Sequence, residues 1–174
     1  MKPLATALLV IAIYISIYSF RGFLPTFGSY PDRLRWLAGW PSRGYYGFNC
    51  SGLIAYAHGN DWTSEREMWN GNHGEFTLIE SFSSVNAIDT NDLRAGDIAV
   101  FGGKDGVGIH VVAYLGNGKW IDSDSRRGSV DVYEMKSKTS KDPWFQGHVR
   151  IFRWNTPMRT RLHLGFYKQE QEED

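Results

Sequence analysis

The sequence predicts an α+β fold in which a helix bearing the only cysteine packs on an antiparallel β-sheet, with an N-terminal hydrophobic helix ahead of them. Three observations lead there. A short apolar stretch with helical spacing follows Cys50, and five β-branched and aromatic runs then crowd residues 98–154. The first segment is uncharged from residue 3 to residue 20. With 174 residues, 42% hydrophobic and 22% charged, the chain fits one globular domain, which excludes a wholly disordered protein or a coiled coil. Lys plus Arg, at 19, equals Asp plus Glu, at 19, so no global positive field draws nucleic acid. A single cysteine excludes both an internal disulfide and a four-sulfur zinc site.

The elements follow in order. Residues 1–27 read as a signal anchor or signal peptide, because LATALLVIAIYISIYSF is apolar around its whole circumference. Eighteen residues at about 1.5 Å each come close to a hydrocarbon core of about 30 Å. The exit SFRGFLPTFG is bulky rather than small, which favours a retained anchor over a cleaved signal, with a buried core helix as the third reading. Lys2 favours a cytoplasmic amino end and Arg21, Arg33, Arg35 and Arg43 oppose it; the expectation is an exported body, periplasmic or extracellular, and a secreted one if the signal is cleaved.

Residues 28–44 form a connector rich in Gly, Pro and aromatics, with one short helix at 31–37 opened by a proline. The main domain spans 45–155. Its helix covers 49–59, with Leu53, Ile54 and Ala57 on one face and Gly59 as the stop. Residues 60–90 read as polar loops with one strand at 76–80. Strands then follow at 98–101, 110–116, 119–124, 129–135 and 148–154, as a mostly antiparallel meander. Asn117-Gly118 is a hairpin turn. The tail, 156–174, ends in a solvated acidic run.

Cys50 is the natural starting point for chemistry. A helix amino terminus offers unpaired N–H groups and partial positive charge, and both stabilise a thiolate. The small Ser51 and Gly52 leave room for a substrate carbonyl. A thiol nucleophile needs a base, usually an imidazole. His58 lies about 12 Å along the helix from Cys50 and cannot reach it. His73 falls in a polar loop and His163 in the tail, which leaves His148 and His110. His110 opens a strand directly after GGKDGVG, and a strand holds a proton-transfer group more precisely than a loop does. Folding the hairpin about 117–118 with opposed positions summing to about 235 brings His110 near Asp122 and Asp124, which share a face; either could hold the ring.

FNCSGLIAYAHG, LRAGDIAVF and IHVVAYLGNGKWIDSDS, in that order, resemble the NlpC-type cell-wall endopeptidases of the papain-like cysteine peptidase superfamily. The likeness runs over about 44–154. It implies that Cys50 is the nucleophile, His110 the general base and acid, and Asp122 the residue that orients His110. The backbone N–H groups of Cys50 and Ser51 then receive the oxyanion. Three departures stand out: Asn49 where the family has Asp, Ala95 where it has Pro, and Asp122 where His is commonest. The segment that supplies the family's active-site tyrosine is not recognisable in WPSRGYYGFN, so Tyr45 and Tyr46 stay equal candidates.

The activity expected from the resemblance is hydrolysis of an amide bond in peptidoglycan stem peptides, with no cofactor, no metal and no nucleic-acid partner, and with membrane contact through residues 3–20. Two alternatives stand beside it. One is acyl transfer or lipid-amide hydrolysis with the same three residues. The other is an inactive cell-wall binding module, whose thiol would titrate near 8.5 instead of well below it.

Overall fold

The computed structural model describes residues 28–42, 47–60, 63–103, 105–139 and 141–158. The apolar segment 3–20, Tyr45 and Tyr46, and the tail beyond 158 lie outside the described residues.

Helix α1 (Tyr30–Trp36) starts at Ser29, whose hydroxyl and backbone N–H both engage Asp32, with Pro31 in the first turn. Helix α2 (Cys50–His58) is capped by Asn49, which accepts from the Gly52 N–H at 2.7 Å, and stops at Gly59 in the left-handed conformation. Asn49 therefore does the capping work that an aspartate could also do. Helix α3 (Glu65–Trp69) lies where the sequence suggested only loop; it rests on a capping box between Ser64 and Glu67.

Six strands follow: β1 (Phe76–Phe82), β2 (Ile98–Gly102), β3 (Gly108–Gly116), β4 (Lys119–Asp124), β5 (Ser129–Glu134) and β6 (Val149–Trp154). They form one sheet in the order β1-β6-β2-β3-β4-β5, with every pairing antiparallel. The expected meander thus holds for β2 to β5 but not for β6, which inserts between β1 and β2. Its buried Val149, Ile151 and Phe152 suit a position with neighbours on both sides.

The β3–β4 hairpin turns at Asn117 and Gly118, both at positive φ (52° and 71°), as a two-residue turn requires. An irregularity at Tyr114/Gly116 moves the register by one, to Ala113↔Ile121, and the recorded pairing ends there. His110 thus lies beyond the paired part of the hairpin.

Helices α1 to α3 cover one face of the sheet, where Leu34, Leu53, Ile54 and Met68 meet Ile98, Val100, Val111 and Ile121. The other face buries Phe101, Val112, Trp120, Phe145 and Ile151. Two glycines let α3 approach closely. A Cβ at Gly102 would strike the Trp69 ring, and one at Gly108 would collide with the Glu65 backbone carbonyl. Arg150 secures the end of α3 by donating to the Trp69 carbonyl at 2.9 Å and lying over its ring. Asp97 accepts from the Arg94 N–H at 2.8 Å and pairs with Arg153 through both oxygens, a structural use of that turn.

Candidate active site

Cys50 is the first residue of α2 and is buried. The approach to it is fixed by β4 and β5. Trp40 and Gly39 exchange hydrogen bonds with Val130, the Ser42 hydroxyl donates to the Asp124 carbonyl at 3.0 Å, and Ser123 donates to the Phe48 carbonyl. Gly39, Trp40, Ser42 and Phe48 are thereby tied to β4 and β5 before the helix begins. The first-turn N–H groups of Cys50 and Ser51 have no intrahelical partner, as at any helix start.

The sulfur has two recorded polar neighbours. The Val111 backbone N–H of β3 lies near it, which puts the sulfur beside the residue that follows His110. The thiol itself donates to Glu65 Oε1 of α3 at 2.8 Å. Burial pushes the Cys50 thiol well above its ordinary value, and the Glu65 carboxylate adds to that; the Val111 N–H opposes it. The substrate-free thiol is therefore protonated at neutral pH.

His110 is buried, and its Nε2 lies 2.8 Å from Asp122 Oδ2. The ring is held between aromatic groups: Trp144 stacks on it at 5.9 Å, and Phe145 meets it edge-on at 5.4 Å. With Nε2 engaged by Asp122, Nδ1 is the nitrogen left for chemistry.

Asp122 is fully buried and collects two further donors. The Tyr133 hydroxyl donates at 3.1 Å and Arg127 Nη2 at 3.2 Å. Burial, with Asp122 alongside, raises Tyr133 well above its ordinary value, so the phenol remains a donor. Asp124, the other candidate, turns to Arg126 and Arg127 instead. Its burial alone would raise it, but the hydrogen bonds from these arginines prevail and hold it below the usual carboxylate range.

The other described histidines sit elsewhere. His58 is buried and stacks on Trp154 at 3.7 Å, and His148 is exposed at the start of β6. His73 lies in a short 3₁₀ turn at Asn72–Gly74. Among the described residues, no group of three His, Cys, Asp or Glu side chains could hold a metal ion. No described helix is long and apolar enough to cross a membrane.

Sequence reading missed Glu65, Arg127 and Tyr133. Ser64-x-x-Glu67 is a legible helix-start signal that would have placed Glu65 in a first helical turn. Tyr133 and Arg127 carry no comparable local signal, since only the β4–β5 pairing brings them to Asp122.

The arrangement joins a helix-borne thiol to a strand that carries a carboxylate-bound imidazole, the components of acyl transfer through a thiolate. The NlpC/P60 family model matches residues 31–149. Among curated proteins the chain is similar to murein DD-endopeptidase MepH of Escherichia coli (strain K12), at 29% identity over 116 residues, covering 66% of this chain and 39% of that one. It thus spans about two-fifths of the curated relative it matches. Among solved structures it is similar to NlpC2 from Trichomonas vaginalis, with a TM-score of 0.50 and 25% identity over 73% of this chain and 46% of the other. NlpC1 from the same organism gives 0.50 at 21% identity, covering 72% and 42%, a likeness of fold.

Proposed function

Because the chain belongs to the NlpC/P60 family, we propose that it is a cysteine hydrolase that cleaves an amide bond in peptidoglycan stem peptides, with Cys50, His110 and Asp122 as its working residues. The observation that carries this reading is the 2.8 Å bond that joins His110 of β3 to Asp122 of β4, with the backbone N–H of the next β3 residue, Val111, near the Cys50 sulfur. The murein endopeptidase named among its relatives supports the choice of substrate.

In this mechanism His110 Nδ1 takes the thiol proton as Cys50 Sγ attacks the scissile carbonyl. The N–H groups of Cys50 and Ser51 receive the negative charge on the tetrahedral oxygen. His110 then gives its proton to the leaving amine, and an acyl-enzyme remains. Water, deprotonated by the same ring, attacks that thioester, releases the carboxylic acid and restores the thiol. Asp122 holds the ring with Nδ1 toward the sulfur and stabilises the imidazolium. The apolar stretch 3–20 supports tethering of this body on the exported side of a membrane.

The test is mass analysis of fragments released from purified peptidoglycan by the full chain and by Cys50→Ala. Release by the parent and none by the variant is expected. Equal release by both overturns the reading, and no release by either points to the binding module. The apolar amino terminus also favours a second reading, lipid-amide hydrolysis or acyl transfer through the same residues; acylated lipids offered alongside peptidoglycan separate the two.

A further inference from the structure

We propose that Glu65 is a specificity-determining residue that receives an ammonium group of the substrate beside the scissile amide. The inference rests on Cys50 being the nucleophile and adds a substrate feature that this reading leaves open.

A carboxylate at 2.8 Å from the attacking sulfur is costly as it stands. It stabilises the thiol as donor, and a thiolate formed at that distance meets a second negative charge. Among the described residues, Glu65 makes its recorded polar contact with Cys50 and no ion pair. Among the described residues, Arg126 and Arg127 pair with Asp122 and Asp124, and Arg150 binds the Trp69 carbonyl and ring.

Nor is Glu65 placed by chance rotation of a loose chain. It opens α3, whose cap at Ser64 is closed by Glu67, and its backbone carbonyl packs where Gly108 leaves no side chain. Arg150 and the Trp69 ring against Gly102 fix the far end of the same short helix. Glu65 is partly exposed as a residue while its Oε1 is held beside the sulfur.

A cation delivered with the substrate resolves the conflict. Its ammonium pairs with Glu65, the thiol loses its acceptor, and the proton passes from Sγ to His110 Nδ1 as the sulfur attacks. A substrate without that charge leaves the carboxylate against the thiol and is cut slowly. Stem peptides offer free amino groups at a chain end or on a diamino-acid side chain, and both share this chemistry.

The first test needs no hydrolysis. Cys50 of the full chain is treated with cationic 2-aminoethyl methanethiosulfonate and with neutral methyl methanethiosulfonate, each of which transfers its thio group to the sulfur and releases methanesulfinate. The rate ratio of the two, normalised to a cysteine peptide, is expected to favour the cation by about tenfold, and Glu65→Gln to lower that ratio at least about fivefold, as loss of one close ion pair predicts. The second test compares native peptidoglycan with peptidoglycan N-acetylated by acetic anhydride. The parent should prefer the native form by about tenfold in kcat/KM and Glu65→Gln should not. Tandem mass spectrometry of uncut acetylated fragments tells chain-end from side-chain amines.

A reagent ratio that moves less than twofold in Glu65→Gln, with an unchanged circular dichroism spectrum and melting temperature, overturns the inference. Should the ratio fall while peptidoglycan is untouched by any form, the cation site stands and the peptidoglycan reading fails. Should Cys50→Ala abolish hydrolysis while Glu65→Gln keeps both preferences, the hydrolase stands and the cation site falls.

Discussion

His110 Nε2 and Asp122 Oδ2 lie 2.8 Å apart, both side chains shielded from solvent, although twelve residues and a hairpin separate them. An imidazole bound through Nε2 to a carboxylate has Nδ1 as its remaining nitrogen. Asp122→Asn keeps the shape but lets the amide donate, which favours the wrong tautomer. The expected result is a fall in kcat of at least about a hundredfold, with KM little changed. Fragment-release kinetics check this, and a variant within tenfold of the parent would remove the orienting role.

Tyr133 donates to the same carboxylate at 3.1 Å. Tyr133→Phe removes the donor and keeps the ring that packs on Phe145. About 1.5–3 kcal/mol of stability should be lost, as for one neutral-to-charged hydrogen bond, with a several-fold lower kcat. Chemical denaturation and steady-state rates measure both. If stability falls and kcat does not, Tyr133 acts on the fold alone.

The strands were legible in the sequence because each alternates or runs apolar over five to nine residues between glycine-rich turns. The cysteine helix was legible for a similar local reason, from Leu53, Ile54, Ala57 and the stop at Gly59. Helix α3 was not, because it is five residues long and only Met68 and Trp69 are buried in it; nothing periodic marks so short a piece. The insertion of β6 between β1 and β2 was illegible too, since pairing partners so distant in the chain leave no local trace. Of the site, the hairpin count reached Asp122 and Asp124 but could not choose between them. The choice is made by side chains: Arg126 and Arg127 claim Asp124, and the imidazole goes to Asp122. Glu65 was hidden with its helix.

Burial, and Glu65 after it, raise the Cys50 thiol in the substrate-free protein. The neutral thiol then persists through neutral pH, and thiolate forms only as pH rises through the raised value. Alkylation by iodoacetamide should show a midpoint well above that of an ordinary thiol. Because the unfolded chain releases this proton near pH 8.5, the fold should also lose stability as pH rises above that value. An alkylation midpoint at or below about 8.5 would show that neither burial nor Glu65 governs the sulfur.

At the acid end the sign reverses. Asp124 is held below the usual carboxylate range because its bonds to Arg126 and Arg127 outweigh burial. A depressed carboxyl contributes stability in full above its unfolded value, about 3.9, and loses it as pH falls toward the folded value. Melting temperature should therefore drop below about pH 5 in the parent. Asp124→Asn should start lower at pH 7 and show a shallower drop, which thermal melts across pH 2.5–7 would measure. Parallel curves for the two proteins would place the acid sensitivity elsewhere.

Gly108→Ala tests how α3 is seated. The added methyl would collide with the Glu65 carbonyl, and that neighbour is backbone, so a side-chain rotation cannot relieve it. Either β3 or α3 must move, at a cost of about 1–3 kcal/mol, which lowers the melting temperature by several degrees. The two possibilities differ at the sulfur. If α3 moves, Glu65 leaves Cys50 and the thiol becomes more acidic; if β3 moves, the Val111 N–H is displaced and the thiol becomes less so. Because β3 is paired with β2 along its length and α3 is one short helix held by a few contacts, the helix should yield. Gly108→Ala is therefore expected to melt lower yet alkylate faster at pH 8, a pairing that general loosening would imitate only if proteolysis in the native state rose in step.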